Sequence, residues 1–314
     1  MPVLSEFVND VSLGQLIETA RREDLGPAGV DATSSLFIDA SAMGRARFVS
    51  RRAGTVAGLA TLPRMIEAYD PQLQLHTRLE DGARVAPGTV LAELGGPLRS
   101  ILKLERVALN LLGHLSGVAT HTAAFVERVA GTSARIYDTR KTLPGLRGLQ
   151  KYAVACGGGH THRLGLYDAV LIKDNHLAHL SPADWPDALR RIAERARREV
   201  EGLKFVMVEV DTLEQLDAVL GVGPAAVDLV LLDNMDLSQL REAVSRRDAA
   251  RTAWKTRGDP ADAPTRTVGI ELEASGGVGL ETVAGIAATG VDRISVGGLT
   301  HSSPTLDIGL DIAP

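Results

Sequence analysis

Six short, apolar, β-branched runs recur through the second half of the chain, and they constrain the fold more than any other feature. They read ARIYDTR (134–140), DAVLIKD (168–174), FVMVEVD (205–211), DLVLLDN (228–234), VGIELEAS (268–275) and RISVGG (293–298). Near-continuous apolar runs are the mark of strands buried on both faces. Among and between them, QKYAVAC, DALRRIAERARREV, LEQLDAVL, LSQLREAVSRRDAARTAW and LETVAGIAA space their apolar residues as amphipathic helices do. Six βα units of this kind imply a parallel α/β domain.

The residues at the carboxyl ends of these strands narrow the choice. They are Arg140 and Lys141, Lys173 and Asp174, Glu209 and Asp211, Asp233 and Asn234, Glu271, Glu273 and Ser275, and Gly297 and Gly298. An α/β barrel builds its active site from such positions, because all its strands aim their carboxyl ends at one mouth. An open doubly wound sheet binds only near its switch point. Polar groups on all six strands therefore favour a ring, and six units are fewer than eight, so the barrel is incomplete or borrows strands.

The first half reads differently. VSLGQLIETARRE (11–23) has helical spacing, and the following DLGPAGVDATSSLF is rich in turn and capping residues, so a helix and then a loop are expected. Between Gly44 and Leu94, alternating segments (RARFVSR, LQLHTRL, TVLAEL) are punctuated by glycine and proline, with one helical insert at LPRMIEAY. This predicts a small, mainly antiparallel α+β unit. Residues 98–129 predict a long helix, broken near Gly113 and Gly117, that joins two domains. TRGDPADAPTR, around Asp259, reads as a surface loop.

A chain of 314 residues with 45% hydrophobic residues can bury the core of one large or two modest domains. Its formal net charge of -5 argues against a general nucleic-acid or membrane-surface binder, so an anionic ligand must be met by a local cationic pocket. The single cysteine, Cys156, allows no internal disulfide and reads as inert packing in a reducing cytoplasm. MPVLSEFVNDV lacks a basic segment followed by an apolar core, and no apolar run approaches the roughly 20 residues of a membrane span, so a cytoplasmic protein is expected.

One side of the expected mouth is cationic: Arg140, Lys141, His162, Arg163 and Lys173, with Arg147 and Lys151 nearby in sequence. Arginine forks match carboxylates and phosphates at two points, and lysine supplies a point charge, so a small, multiply anionic substrate suits the cluster. The other side is anionic: Glu209, Asp211, Asp233, Glu271 and Glu273. Carboxylates without cysteines suit a hard cation such as Mg²⁺; some of these acids serve instead as structural partners of the cations opposite, with Glu209 and Asp233 the better ligand candidates and Glu271 a candidate cap or pairing partner. Two glycine-rich turns, ASGGVGLET and SVGGLTHSS, follow the last two strands, where barrels often bind phosphate through backbone N–H groups. In CGGGHTHRLGL (156–166), His160 and His162 lack the i, i+4 spacing of a zinc pair, and His162 beside Arg163 reads as an anion contact.

With these residues laid out, the chain resembles the quinolinate phosphoribosyltransferase family along almost its whole length. The matching motifs are EDLGPAGVDATSSLF, LERVALNLLGHLSGVAT, DTRKTLPGLRGLQKYAV, GGGHTHRLGLYDAVLIKDNH, VEVDTLEQL, LVLLDNM, IELEASGGV and ISVGGLTHSSPTLDIGLDI, in that order. The resemblance implies an N-terminal α+β sandwich-like domain (1–115), joined by the C-terminal strand (about 302–314), and an incomplete, seven-stranded α/β barrel (116–301). It implies a homodimer, or a larger oligomer, in which Arg106 reaches the partner's site. By the same carry-over Thr139, Arg140, His162, Arg163 and Lys173 hold the pyridine dicarboxylate quinolinate. Lys141 and Lys173 face phosphates. Glu209 and Asp233 serve the ribose hydroxyls and Mg²⁺, directly or through water. Ser275, Gly276, Gly277, Gly297, Gly298 and His301 take the 5′-phosphate side.

The implied reaction joins quinolinate to 5-phosphoribosyl 1-pyrophosphate and yields nicotinate mononucleotide, pyrophosphate and CO₂, a step of NAD biosynthesis. Two positions depart from the usual family pattern: Thr161 stands where asparagine is usual and Gly298 where alanine is common. Three other readings stay open on the residues alone. One is a paralogous phosphoribosyltransferase for a different aromatic or heterocyclic carboxylate. Another is a barrel lyase using Lys173 as a Schiff-base amine. A third is a carrier module suggested by DGARVAPGTVLAEL, which has no lysine at its turn.

Overall fold

The computed structural model describes residues 2–257 and 269–313. The expected TRGDPADAPTR loop lies, from Gly258 onward, outside the described residues. In chain order the elements are α1 (Asp10–Leu25), α2 (Ala32–Phe37), β1 (Met43–Ser50), β2 (Gly54–Thr55), α3 (Leu62–Tyr69), β3 (Gln74–Thr77), β4 (Arg84–Val85), β5 (Val90–Pro97) and α4 (Leu98–Arg128). There follow β6 (Arg135–Tyr137), α5 (Arg147–Cys156), β7 (Val170–Ile172), α6 (Asp174–Leu177), α7 (Trp185–Glu199), β8 (Val206–Val210) and α8 (Leu213–Val222). The last are β9 (Leu229–Asp233), α9 (Leu237–Arg257), β10 (Glu271–Ser275), α10 (Val283–Ala287), β11 (Arg293–Ser295), α11 (Gly298–His301) and β12 (Ile308–Ala313).

Two compact units result. The first comprises Met1–Ala124, Lys141–Gly159 and Gly298–Pro314; the second comprises Phe125–Arg140 and His160–Gly297. The anticipated cut at residue 115 thus falls inside α4, and α5, which sits between two strands in sequence, belongs to the first unit. No helix among the described residues is long and apolar enough to cross a membrane.

The first unit carries a four-stranded sheet in the order β12-β1-β5-β3, antiparallel throughout, so the C-terminal strand does return to this unit. The Asn9 side chain caps α1 by accepting from Ser12 N at 2.8 Å. The expected loop after α1 contains a short helix, α2, because Asp31 caps it in the same way from Ser34 N at 3.1 Å. α4 is unbroken across Gly113 and Gly117, contrary to expectation. A Cβ at Gly117 would overlap the Pro304 carbonyl oxygen, and one at Gly113 would lie 2.8 Å from Thr305 Cγ2. The glycines mark where the returning chain crosses the helix at close range, and that packing offsets their roughly 1 kcal/mol helix penalty each.

The second unit carries a six-stranded sheet in the order β6-β11-β10-β9-β8-β7, with every pair parallel. All six strands fall on the runs singled out in the sequence. Among the described residues a single parallel bridge, between Tyr137 and His160, stands in place of a seventh strand on the free side of β6. His160 makes two ladder bonds, N to Ile136 O and O from Asp138 N; then His162 N turns to the Asp138 side chain, which ends the ladder.

Parallel register decides which residues share a face. Lys173, the residue after β7, is in line with Leu171, Met207, Glu209, Leu229, Leu231, Asp233, Glu271, Glu273, Ser275, Arg293, Ser295, Arg135 and Tyr137 on one face. Val206, Val208, Val210, Val230, Leu232, Leu272, Ile294 and Ile136 lie on the other, all buried. On the first face Met207, Leu229 and Leu231 form an apolar cluster with Ala169, Phe205 and Leu171. Each buried Met, Leu or Phe side chain of the cluster contributes about 1.5–3 kcal/mol by leaving water. Polar residues then occupy the rest of that face.

Candidate active site

The amino end of the polar face is closed by charge pairing. Glu271, the first residue of β10, accepts from Arg135 Nη2 at 2.9 Å and from Arg293 Nε, and the Arg293 guanidinium lies 4.5 Å over the Tyr137 ring. Tyr137 in turn stacks on His160, with centroids 5.2 Å apart. Glu271 is therefore a structural partner at the opposite end of its strand from the expected mouth, because VGIELEAS enters the ladder only at that residue. Glu273 sits mid-strand and is fully buried; burial pushes its carboxyl up to about 7. His162 Nε2 lies 3.6 Å from its Oε1.

At the carboxyl ends the expected groups come together. Ile172 is in register with Val208, so the next residue along, Lys173, faces Glu209, and Nζ meets Oε2 at 2.7 Å. Asp233 ends β9 and accepts from Asn234 Nδ2 at 2.8 Å. Asn234 has a left-handed backbone, φ 53°, which asparagine tolerates better than most residues, and its N–H donates to Ser275 O at 2.9 Å. The Ser275-Gly276-Gly277 turn wraps directly against it. Sequence reasoning passed over Asn234 as anything but a strand end; the DN pair after an apolar run was its only signal.

The HTHR segment is anchored by two carboxylates that the sequence reading did not single out. Asp138 Oδ1 accepts from His162 N at 2.8 Å, and Asp168 accepts from Leu164 N at 2.8 Å and Gly165 N at 3.0 Å while pairing with Lys204 at 2.9 Å. The buried His162 ring points into the sheet's polar face, with Nδ1 accepting from Arg163 N at 2.8 Å and its plane edge-on to Phe205 at 5.0 Å. Arg163 is only 7% exposed. Burial, and then the neighbouring Arg140, hold its pKa below the usual arginine value. Arg140 itself has a buried Nε with no hydrogen-bond partner. Thr139 and Thr161 flank these cations, both half-buried.

Other predicted residues belong to the first unit. Lys141 is exposed, and its carbonyl accepts from Thr300 Oγ1 at 2.8 Å. Arg147 donates from Nε to Thr142 Oγ1 at 3.1 Å. Lys151 is fully buried in α5, so it is not part of a cationic surface; the helical phase of RGLQKYAV turns it inward. Arg106 is exposed on α4, 4.0 Å from Glu105, and lines a groove of about 360 Å³ with residues of α1 and α3. Gly298 opens α11 and the exposed His301 closes it, with its Nδ1 2.6 Å from Ser302 Oγ. Cys156 is buried, and burial pushes its thiol up to about 12, consistent with packing and not nucleophilic chemistry.

The second unit thus holds desolvated guanidiniums, a lysine–glutamate pair and a glycine turn at the carboxyl ends of one parallel sheet, a site built for small, multiply charged anions. Comparison with known proteins identifies which. Residues 31–116 match the family described as Quinolinate phosphoribosyl transferase, N-terminal domain, and residues 118–311 match its C-terminal domain. The nicotinate-nucleotide pyrophosphorylase (carboxylating) of Mycobacterium leprae is 44% identical over 299 residues, covering 94% of this chain and 95% of that protein. A probable nicotinate-nucleotide pyrophosphorylase (carboxylating) of Bacillus subtilis is 36% identical over 306 residues, covering 97% of this chain and 95% of that protein. The solved structure of the nicotinate-nucleotide pyrophosphorylase from Francisella tularensis superposes with a TM-score of 0.81 at 32% identity, covering 98% of each chain. The chain belongs to the quinolinate phosphoribosyltransferase family.

Proposed function

We infer that this chain transfers the phosphoribosyl group of 5-phosphoribosyl 1-pyrophosphate to quinolinate with loss of CO₂, giving nicotinate mononucleotide and pyrophosphate. Family membership supports the reaction. Within the site the reading is carried by the Arg140–Arg163 pair. Arg163 is held almost out of water beside the half-buried Arg140, whose like charge opposes it, and Arg140 Nε has no hydrogen-bond partner to offset the cost. A dianionic acceptor supplies the missing charge, and the two vicinal carboxylates of quinolinate match two guanidinium forks.

Thr139, His162 and Lys173 complete the acceptor clamp in this reading, with the ring nitrogen left free to attack C1 of the ribose. Lys141 and Lys173 face the departing pyrophosphate, while Ser275, Gly276, Gly277, Gly297, Gly298 and His301 line the 5′-phosphate side. As the C–N bond forms and the C–O bond to pyrophosphate breaks, positive charge develops on the ribose, and in this reading Glu209 and Asp233 tolerate it. In the product the ring nitrogen is cationic, so the ring takes the electron pair released when the adjacent carboxylate leaves as CO₂, and a proton then fills that carbon. The protein's part is positioning and electrostatics.

Mg²⁺ fits the donor set. Glu209 and Asp233 are hard oxygen donors on one face of adjacent strands, each spending an oxygen on one protein neighbour, Lys173 or Asn234. Bound there with the donor, directly or through water, it would neutralise pyrophosphate charge. A homodimer in which the exposed Arg106 serves the partner's site, in the cytoplasm, completes the proposal.

The test is product formation by the purified protein with quinolinate and, separately, nicotinate as acceptor. CO₂ and mononucleotide from quinolinate alone are expected; turnover of nicotinate but not quinolinate would overturn the assignment. The same assay on mixtures of Arg106→Ala and Glu209→Ala proteins, each inactive alone, should recover part of the activity. No recovery despite proven subunit exchange would refute the shared site.

A further inference from the structure

One fully buried side chain of the first unit makes more polar contacts than packing asks of it. Gln150 sits in α5, with Oε1 accepting from Leu143 N at 2.9 Å, and Nε2 donating to Thr300 O at 2.7 Å and lying 3.0 Å from His114 Nε2. The Thr300 hydroxyl, also buried, donates to Lys141 O at 2.8 Å. Both N–H groups and the carbonyl of the amide are thereby engaged. The second N–H requires an unprotonated ring nitrogen on His114. Burial favours that form by lowering the His114 pKa, and the contact leaves the ring proton on Nδ1.

The contacts converge on two stretches of chain. Lys141 and Leu143 begin the turn that follows Arg140 in sequence, and Thr300 lies within Gly298–His301. Two side chains, Gln150 and Thr300, bond backbone groups in both stretches. We propose that Gln150 and Thr300 form a positioning pair that locks the Lys141 turn to the Gly298–His301 turn as one surface for the sugar-phosphate donor. This rests on the reading above that Lys141, Gly298 and His301 face phosphates. Neither residue touches substrate in this proposal; each acts through backbone it holds. Arg140, His162 and Arg163 belong to the second unit, so loss of the pair should fall on the donor and spare the acceptor.

The experiment measures KM for both substrates in Gln150→Met, Thr300→Val and Thr300→Ser proteins of the full chain. Gln150→Met keeps length and helix propensity but leaves Leu143 N–H and Thr300 C=O without their partner. Its KM for 5-phosphoribosyl 1-pyrophosphate should rise about tenfold, with KM for quinolinate within about twofold. Thr300→Val should raise the donor KM in the same selective way, and Thr300→Ser, which keeps the hydroxyl, should restore it. Should Gln150→Met fail to fold, the threonine pair carries the test. An equal rise in both KM values, or no rise in the donor KM, overturns the proposal. Lys141→Ala, measured alongside, separates the two levels. If it weakens the donor while Gln150→Met and Thr300→Val do not, the clamp falls and the site reading stands. If it leaves the donor KM unchanged, the reading of that turn falls and the clamp with it.

Discussion

The two glycine-rich turns that follow the last strands look alike in sequence and differ in what their glycines do. In ASGGVG, Gly276 and Gly277 have φ of 99° and 58°, and a Cβ on Gly276 would overlap the Asn234 side-chain oxygen. In SVGGLT, Gly298 opens a right-handed helix, and a Cβ there would meet no atom within 4 Å. The first turn needs glycine for both backbone and space. At Gly298 the second turn needs neither. A doublet of glycines is thus no single structural signal, and the departure from alanine at Gly298 carries little structural weight.

Gly276→Ala should show the largest effect. The positive φ and the overlap with Asn234 together predict a loss of about 3 kcal/mol of stability, as neighbours shift to admit the methyl group. Thermal unfolding measures it, and KM for the sugar-phosphate donor should rise with it if the turn receives phosphate. Adding Asn234→Gly, which removes the overlapping side chain but not the backbone strain, should recover only part of the loss. Wild-type stability in Gly276→Ala would erase the distinction between the turns.

Gly277→Ala isolates the backbone contribution. Its φ of 58° lies in the left-handed region, yet an added Cβ meets nothing within 4 Å. The strain of about 1–2 kcal/mol is offset in part by the reduced entropy of an unfolded alanine, leaving a net cost of about 1 kcal/mol. A loss equal to that of Gly276→Ala would mean that Asn234 contributes nothing to the requirement.

The same contrast between pattern and surroundings explains what the sequence disclosed. All six parallel strands, the helices following them and the convergence of Lys173, Glu209, Asp233 and Ser275 were legible, because strand runs and their polar ends are local signals. Facing was not: strands buried on both sides give no alternation, so Glu271 and Glu273 read as mouth acids although one closes the floor with Arg135 and Arg293 and the other is buried beside His162. Lys151 looked like part of a cationic cluster until its helical phase placed it in a core. Gly113 and Gly117 looked like helix breakers because the chain that crosses them, Pro304 to Leu306, is remote in sequence. Asp138 and Gln150 escaped notice for the same reason, since their partners His162, His114 and Thr300 are fixed by tertiary contact.

Gly298→Ala is the smallest effect and the sharpest check on the comparison. With helical backbone and open space around the new methyl group, the substitution should cost nothing, and the lower entropy of the unfolded chain should stabilise the protein by about 0.5 kcal/mol. Donor KM should stay within about twofold, because the N–H of residue 298 is unchanged by a methyl group on its Cα. A donor KM raised tenfold with stability intact would mean that the substrate itself occupies the space next to Gly298. The glycine would then be required by the bound phosphate and not by the fold, which would give the second turn a ligand-imposed need in place of the backbone need of the first.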